Sequence, residues 1–152
     1  MNLGRMLKAR AAEGRPVRAG LIGAGKFGSM FLAQARTTPG LHVLGIADLD
    51  GARIRDALKR TGWDEAQIAR DFSDALKNGK TAITEDAMAL IDADGLDVVL
   101  DVTGSPAAAI RHCLAAFAAK RHVVNVTVEA DVLAGPLLAK RAREAGVVYA
   151  LA

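Results

Sequence analysis

Val17-Arg18-Ala19-Gly20-Leu21-Ile22-Gly23-Ala24-Gly25-Lys26-Phe27-Gly28 opens as a short apolar run, passes through G-x-G-x-x-G and enters a stretch with helical spacing. Strand, glycine turn and helix, in that order, are what a diphosphate cradle requires. Gly23 permits the tight turn, Gly25 lets backbone approach a pyrophosphate, and Gly28 lets the helix pack closely on the strand. The helix begins near Lys26 and Phe27, where free amides and the positive end of the dipole favour a phosphate. The Lys26 side chain either reaches that phosphate or is simply solvated. Gly23, Gly25, Lys26, Phe27 and Gly28 are therefore expected to hold the cofactor.

Outward from this segment, apolar runs alternate with helical patterns. The runs are 17–23, 43–48, a weak 81–84, 97–103, 122–128 and 147–151. Several are apolar on both faces, as strands of a parallel sheet covered by helices on both sides must be. The helical patterns are 26–37, 51–60, 65–77, 86–91, 107–119, and a last one that starts between Asp131 and Pro136 and ends near Gly146. In 107–119, Ile110, Cys113, Leu114 and Phe117 form one apolar stripe, with Arg111 and Lys120 facing outward. The alternation predicts an α/β Rossmann fold, a doubly wound parallel sheet in the order 3-2-1-4-5-6 with helices on both faces. Ahead of it, Leu3, Met6, Leu7 and Ala11 share one side of a short N-terminal amphipathic helix ending at Gly14. The expected division is thus an N-terminal helical segment, 1–16, and a nucleotide-binding domain, 17–152. The stretch 50–94 holds more helix than one crossover needs and reads as a helical elaboration.

Asp48 ends the second run, 20 residues beyond Gly28. An acid there accepts hydrogen bonds from the adenosine ribose hydroxyls and repels a 2′-phosphate, which favours NAD over NADP. The alternative is a helix cap, a role for which Asp50 competes. Arg53 would accommodate a 2′-phosphate if Asp48 turned away, so use of NADP stays open. Thr103 and Gly104, at the end of the fourth run, fall beside the switch point where ligands sit in this topology. Pro106 suits the first turn of the next helix. Asp101, a carboxylate inside an apolar strand, must be paired or near solvent, and reads equally as a structural acid or an active-site group. Thr127 and Glu129, after the fifth run, are expected near the nicotinamide. Glu129 and Asp131 also read as first-turn acids that stabilise a helix N-terminus. His42, His112 and His122 show no metal spacing and read as structural or solvated; no metal site is expected. Cys113, on the core-facing stripe, reads as an inert buried thiol.

Composition narrows the class. At 152 residues, 51% apolar and 24% charged, the chain matches an ordinary globular domain and excludes disordered, collagen-like and disulfide-scaffold classes. Aromatics are only 4%, too few for a single-strand stacking platform. The net charge of +3 is local: residues 1–18 carry five cations against Glu13, while the rest carries 15 cations and 16 anions. No nucleic-acid or membrane partner is expected. One cysteine, no signal-peptide pattern and no bilayer-length apolar run point to a cytoplasmic protein.

VRAGLIGAGKFG, VVLDVTG and VEADVLAGP, with the basic helical head, resemble the N-terminal nucleotide-binding domain of oxidoreductases related to homoserine dehydrogenase. The resemblance is to the branch with a C-terminal SAF domain, which includes deoxyxylulose-phosphate reductoisomerase-like enzymes, and it spans essentially the whole chain. It implies hydride transfer between a nicotinamide and a small hydroxy or carbonyl substrate. It also implies catalytic residues on a domain beyond the sixth strand, so no catalytic residue is named within 1–152. Homoserine dehydrogenases usually carry Asn-Lys-Ala after the fifth strand, where this chain has Val128-Glu129-Ala130, which argues against homoserine as substrate. The expected partner is a small-molecule substrate met through that further domain, and a homo-oligomer is compatible with the reading. The rivals are a dinucleotide-sensing regulatory module without catalysis and a methyltransferase; the third glycine suits diphosphate packing better than the latter.

Overall fold

The computed structural model describes residues 2–152; Met1, the first residue of the expected 1–16 segment, lies outside them. The elements run α1 (Leu3–Ala12), β1 (Val17–Ile22), α2 (Lys26–Ala35), β2 (Leu41–Ala47), α3 (Gly51–Arg60), α4 (Phe72–Asn78), β3 (Ala82–Thr84), α5 (Ala87–Asp92), β4 (Val98–Asp101), α6 (Pro106–Ala118), β5 (His122–Asn125), α7 (Val128–Ala145) and β6 (Tyr149–Leu151). The six strands form one parallel sheet in the order β3-β2-β1-β4-β5-β6. This is the doubly wound arrangement expected from the alternation, and it puts every strand's carboxyl end on one edge.

Each face of the sheet carries its own core. Leu21, Val43 and Ile46 pack with Leu32 of α2 and with Ile54 and Leu58 of α3. Ile22, Leu44 and Val99 pack on the other face with Leu90, Ile91, Cys113, Phe117 and Leu138. Strict alternation would put Val43 and Ile46 on opposite faces. The β1–β2 register instead slips by one residue, pairing Ala19 with Val43 but Gly20 with Gly45. This bulge returns Ile46 to the face of Val43. A Cβ at Gly45 would lie 2.7 Å from Leu90 and 2.9 Å from Phe72, so its missing side chain lets α4 and α5 press against the sheet.

Four local expectations need correction. The expected helix 65–77 is a short 3₁₀ turn, Glu65–Gln67, and then α4, separated by an isolated bridge from Ile68 to Thr81. Asp64 and Asp71 each cap a separate start, which divides the helical pattern. The fifth strand, expected over 122–128, stops at Asn125. There Asn125 accepts a hydrogen bond from the Thr127 amide and donates to the Thr127 carbonyl, turning the chain into α7 at Val128, ahead of the expected start. Pro136 lies inside that helix. Leu114, placed on the buried stripe by spacing, is 40% exposed, while Cys113, Ala116 and Phe117 face the core. No helix among the described residues is long and apolar enough to cross a membrane.

Candidate dinucleotide cleft

A cleft of about 490 Å³ opens at the carboxyl edge of the sheet, between the ends of β1, β2 and β4. It lies within the size range of small-molecule and cofactor sites. Its floor is the glycine loop. Gly23 holds a φ of +109°, and a Cβ there would sit 2.9 Å from the Val102 carbonyl oxygen. A Cβ on Gly28 would fall 2.3 Å from the Gly23 carbonyl oxygen, so only glycine lets α2 start this close to β1. Gly25 differs: a Cβ there meets nothing within 4 Å, because it would project into the open cleft.

Gly25 is the N-cap of α2 and offers no capping side chain, and the first turn contains no acid. The amides of Gly25, Lys26, Phe27 and Gly28 find no acceptor among the described residues. A helix start left open beside a cleft is an anion site by its partial charge and its unpaired donors. The Lys26 and Phe27 side chains are exposed beside it rather than on the cleft wall.

Asp48 follows β2. Its Oδ2 accepts from the Ala24 amide at 2.8 Å and its Oδ1 from the Asp50 amide at 3.0 Å. The helix-cap alternative is resolved by Asp50, which caps α3 through the Ala52 and Arg53 amides. Glu85 takes the Gly51 amide at 2.9 Å. Asp48 is thus left facing the cleft, with an ion-pair contact to Arg53 at 3.7 Å. A carboxylate offers about four lone-pair directions, so two accepted bonds leave capacity for a ligand hydroxyl. Three carboxylates, from Asp48, Asp50 and Glu85, line this side against the single Arg53.

Across the cleft stand Thr103, Ser105, Arg111 and His112. Two of them, Thr103 and His112, are held by Asp101, which is fully buried. Its Oδ2 receives His112 Nδ1 at 2.6 Å, and its Oδ1 receives the Thr103 and Thr127 hydroxyls at 2.9 and 2.8 Å. Burial alone would push the Asp101 carboxyl up, but the bonds from His112, Thr127 and Thr103 outweigh it and hold the group below the usual carboxylate range. Asp101 does not line the cleft; it positions Thr103 and His112, which do. Its charge, after burial, helps push the neighbouring Cys113 thiol up to about 12.

Of the ten expected cofactor-binding residues, Gly23, Gly25, Asp48 and Thr103 form cleft walls, and Gly28 supports them from below. Gly104 adopts a φ of +67° at the entrance to α6 and donates its amide to Thr127 Oγ1. Thr127 is buried, with its hydroxyl engaged by both Asp101 and Gly104, and Glu129 is exposed in the first turn of α7. Neither contributes to the described wall of the cleft. His112, expected to be structural or solvated, is buried and paired with Asp101, and Arg111, expected to face outward, is exposed; both also border the cleft, a place the sequence did not assign them. The signal pointing toward His112 was Asp101, whose charge in an apolar strand had to be paired or near solvent.

No family model and no curated protein matches the chain. Solved structures do. An NAD-binding oxidoreductase from Klebsiella pneumoniae aligns over 90% of this chain and 34% of its own at 23% identity, with a TM-score of 0.66. Biliverdin reductase from Synechocystis, solved with biliverdin and NADP+, aligns over 90% of this chain and 37% of its own at 20% identity and a TM-score of 0.68. Myo-inositol dehydrogenase from Lactobacillus casei, solved with NAD(H) and myo-inositol, aligns over 90% of this chain and 36% of its own at 16% identity and a TM-score of 0.69. The chain spans about a third of the length of these proteins, and the likeness at these identities is one of fold: a Rossmann domain.

Proposed function

We propose that this chain is the NAD(P)-binding domain of an oxidoreductase that moves hydride between a nicotinamide and a small hydroxy or carbonyl substrate. The observation that carries the reading is the uncapped start of α2. Four amides without acceptors among the described residues open into a cleft at Gly25, beside the Asp48 carboxylate that holds the Ala24 amide. A pyrophosphate satisfies those donors, and a ribose carrying free hydroxyls satisfies the carboxylate. Thr103, His112 and Arg111 would face the remainder of the bound cofactor. The dinucleotide supplies the hydride chemistry; this domain supplies grip and orientation.

The acid-rich side around Asp48 supports NAD over NADP, with Arg53 as the one cation able to meet a 2′-phosphate. The sequence likeness to homoserine dehydrogenase-related enzymes with a SAF domain supports a substrate and catalytic residues carried on a further domain, in a cytoplasmic enzyme. The sizes of the structural neighbours fit that arrangement. Titration of the chain with NADH, followed by nicotinamide fluorescence, tests the reading. Saturable binding, tighter for NADH than for NADPH, is expected; the absence of binding to either overturns it.

A further inference from the structure

A second cavity, of about 360 Å³, lies at the opposite, amino-terminal edge of the sheet. Arg18 and His42 enter it from the starts of β1 and β2, Arg36 from the end of α2, and Trp63 and Gln67 from the elaboration after α3. Nothing in the dinucleotide reading uses it.

Its donors and acceptors are unequally matched. The carbonyls near it are taken: Lys80 by His42 Nε2 at 2.7 Å, Val43 by the Thr81 hydroxyl at 2.7 Å, and Leu32 by the Trp63 indole at 3.1 Å. At the end of α2, Gln34 is taken by the Thr38 hydroxyl at 2.8 Å and Ala35 by the Thr38 amide at 3.2 Å. The Asp97 carboxylate receives the Arg18 amide at 2.8 Å, not its guanidinium. Neither Arg18 nor Arg36 forms an ion pair among the described residues. Arg18 Nε is moreover buried without an acceptor. His42, its pKa lowered by burial and then by the nearby Arg18 charge, stays neutral and keeps its Nε2 proton on Lys80.

A buried guanidinium donor with no acceptor is costly and rare. Arg18, whose Nε is buried without an acceptor, and Arg36, exposed and without an ion pair among the described residues, border one cavity and together make a donor set matched to a compact oxyanion. We propose that this cavity is a second site, for a phosphate group, either inorganic phosphate or a small phosphomonoester, held by Arg18 and Arg36. Trp63 and Leu41 would wall whatever the phosphate is attached to.

Trp63 is the only tryptophan in the chain, so its emission reports on this cavity directly. The experiment titrates the chain with inorganic phosphate and, separately, with glycerol 3-phosphate, against chloride at equal ionic strength. A saturable change in emission with either phosphate is expected, and about tenfold weaker binding in Arg18→Gln and in Arg36→Gln. NADH binding should be retained in both variants, which separates this site from the dinucleotide cleft. Arg36 is exposed, so its substitution leaves the core untouched if Arg18→Gln fails to fold. A response no larger than that to chloride, or wild-type phosphate affinity in the Arg36 variant, overturns the proposal.

Discussion

Asp48 Oδ2 accepts the amide of Ala24 at 2.8 Å, joining the end of β2 to the glycine loop across 24 residues of sequence. One carboxylate thereby fixes the loop and faces the cleft. Removing it should therefore weaken binding in two ways, by loosening the loop and by losing the ribose acceptor. Asp48→Ala is expected to weaken NADH about ten- to a hundredfold, the range for a lost charge-assisted hydrogen bond. NADPH should lose less, because a repulsive charge near its 2′-phosphate also disappears. Paired titrations with the two cofactors check this; an equal loss for both would remove Asp48 from cofactor discrimination.

The three motif glycines should respond differently to substitution. At Gly28 an added Cβ meets backbone at 2.3 Å, so Gly28→Ala is expected to destabilise the fold by about 3 kcal/mol, at the upper end for overpacking. Chemical denaturation measures it. At Gly25 the Cβ meets no protein atom within 4 Å, so Gly25→Val should keep nearly the stability of the parent while losing NADH.

The buried Asp101 predicts an acid limb in stability. Its folded pKa lies below its unfolded value, so its contribution is complete above about pH 4, the ordinary carboxylate pKa. It is lost as the pH falls through the lower folded value, because the unfolded chain binds the proton first. Asp101→Asn should cost about 1.5–3 kcal/mol at neutral pH, from hydrogen bonds that no longer meet a charge. It should also flatten the stability profile below pH 4. Urea denaturation from pH 3 to pH 7 gives both quantities, and an unchanged acid limb in the variant would assign the limb to other carboxylates.

Cys113 should be inert. Its thiol is 1% exposed and pushed up to about 12 by burial and the Asp101 charge. Labelling with a disulfide reagent at pH 8 is expected to proceed only upon unfolding. Labelling in Asp101→Asn at the rate of unfolding of that variant would show that burial, not the charge, is the dominant protection.

The sheet order was legible because apolar runs, glycine turns and helical spacing alternate from Val17 onward, even though the run at 81–84 is weak and several boundaries shifted. The glycine loop and Asp48 were legible because backbone geometry restricts which residues can stand there. The boundaries that failed were set by side chains with two uses. Asn125 could continue a strand, but its amide bonds both backbone groups of Thr127 and starts a helix instead. Leu114 has the spacing of a core residue, yet the angular width of the buried face of α6 ends at Cys113 and Phe117. The cleft wall formed by Arg111 and His112 was hidden for a different reason. Its position depends on the pairing of His112 with Asp101 across 11 residues, and helical periodicity carries no information about a partner on a strand.

Amide chemical shifts of the chain during an NADH titration locate the diphosphate residue by residue. The largest changes should fall on Gly25, Lys26, Phe27 and Gly28, whose N–H groups have no acceptor among the described residues, with secondary changes at Ala24 and Asp48. Shifts confined to another surface, with these four amides unmoved at saturation, would place the dinucleotide elsewhere and overturn the assignment of this cleft.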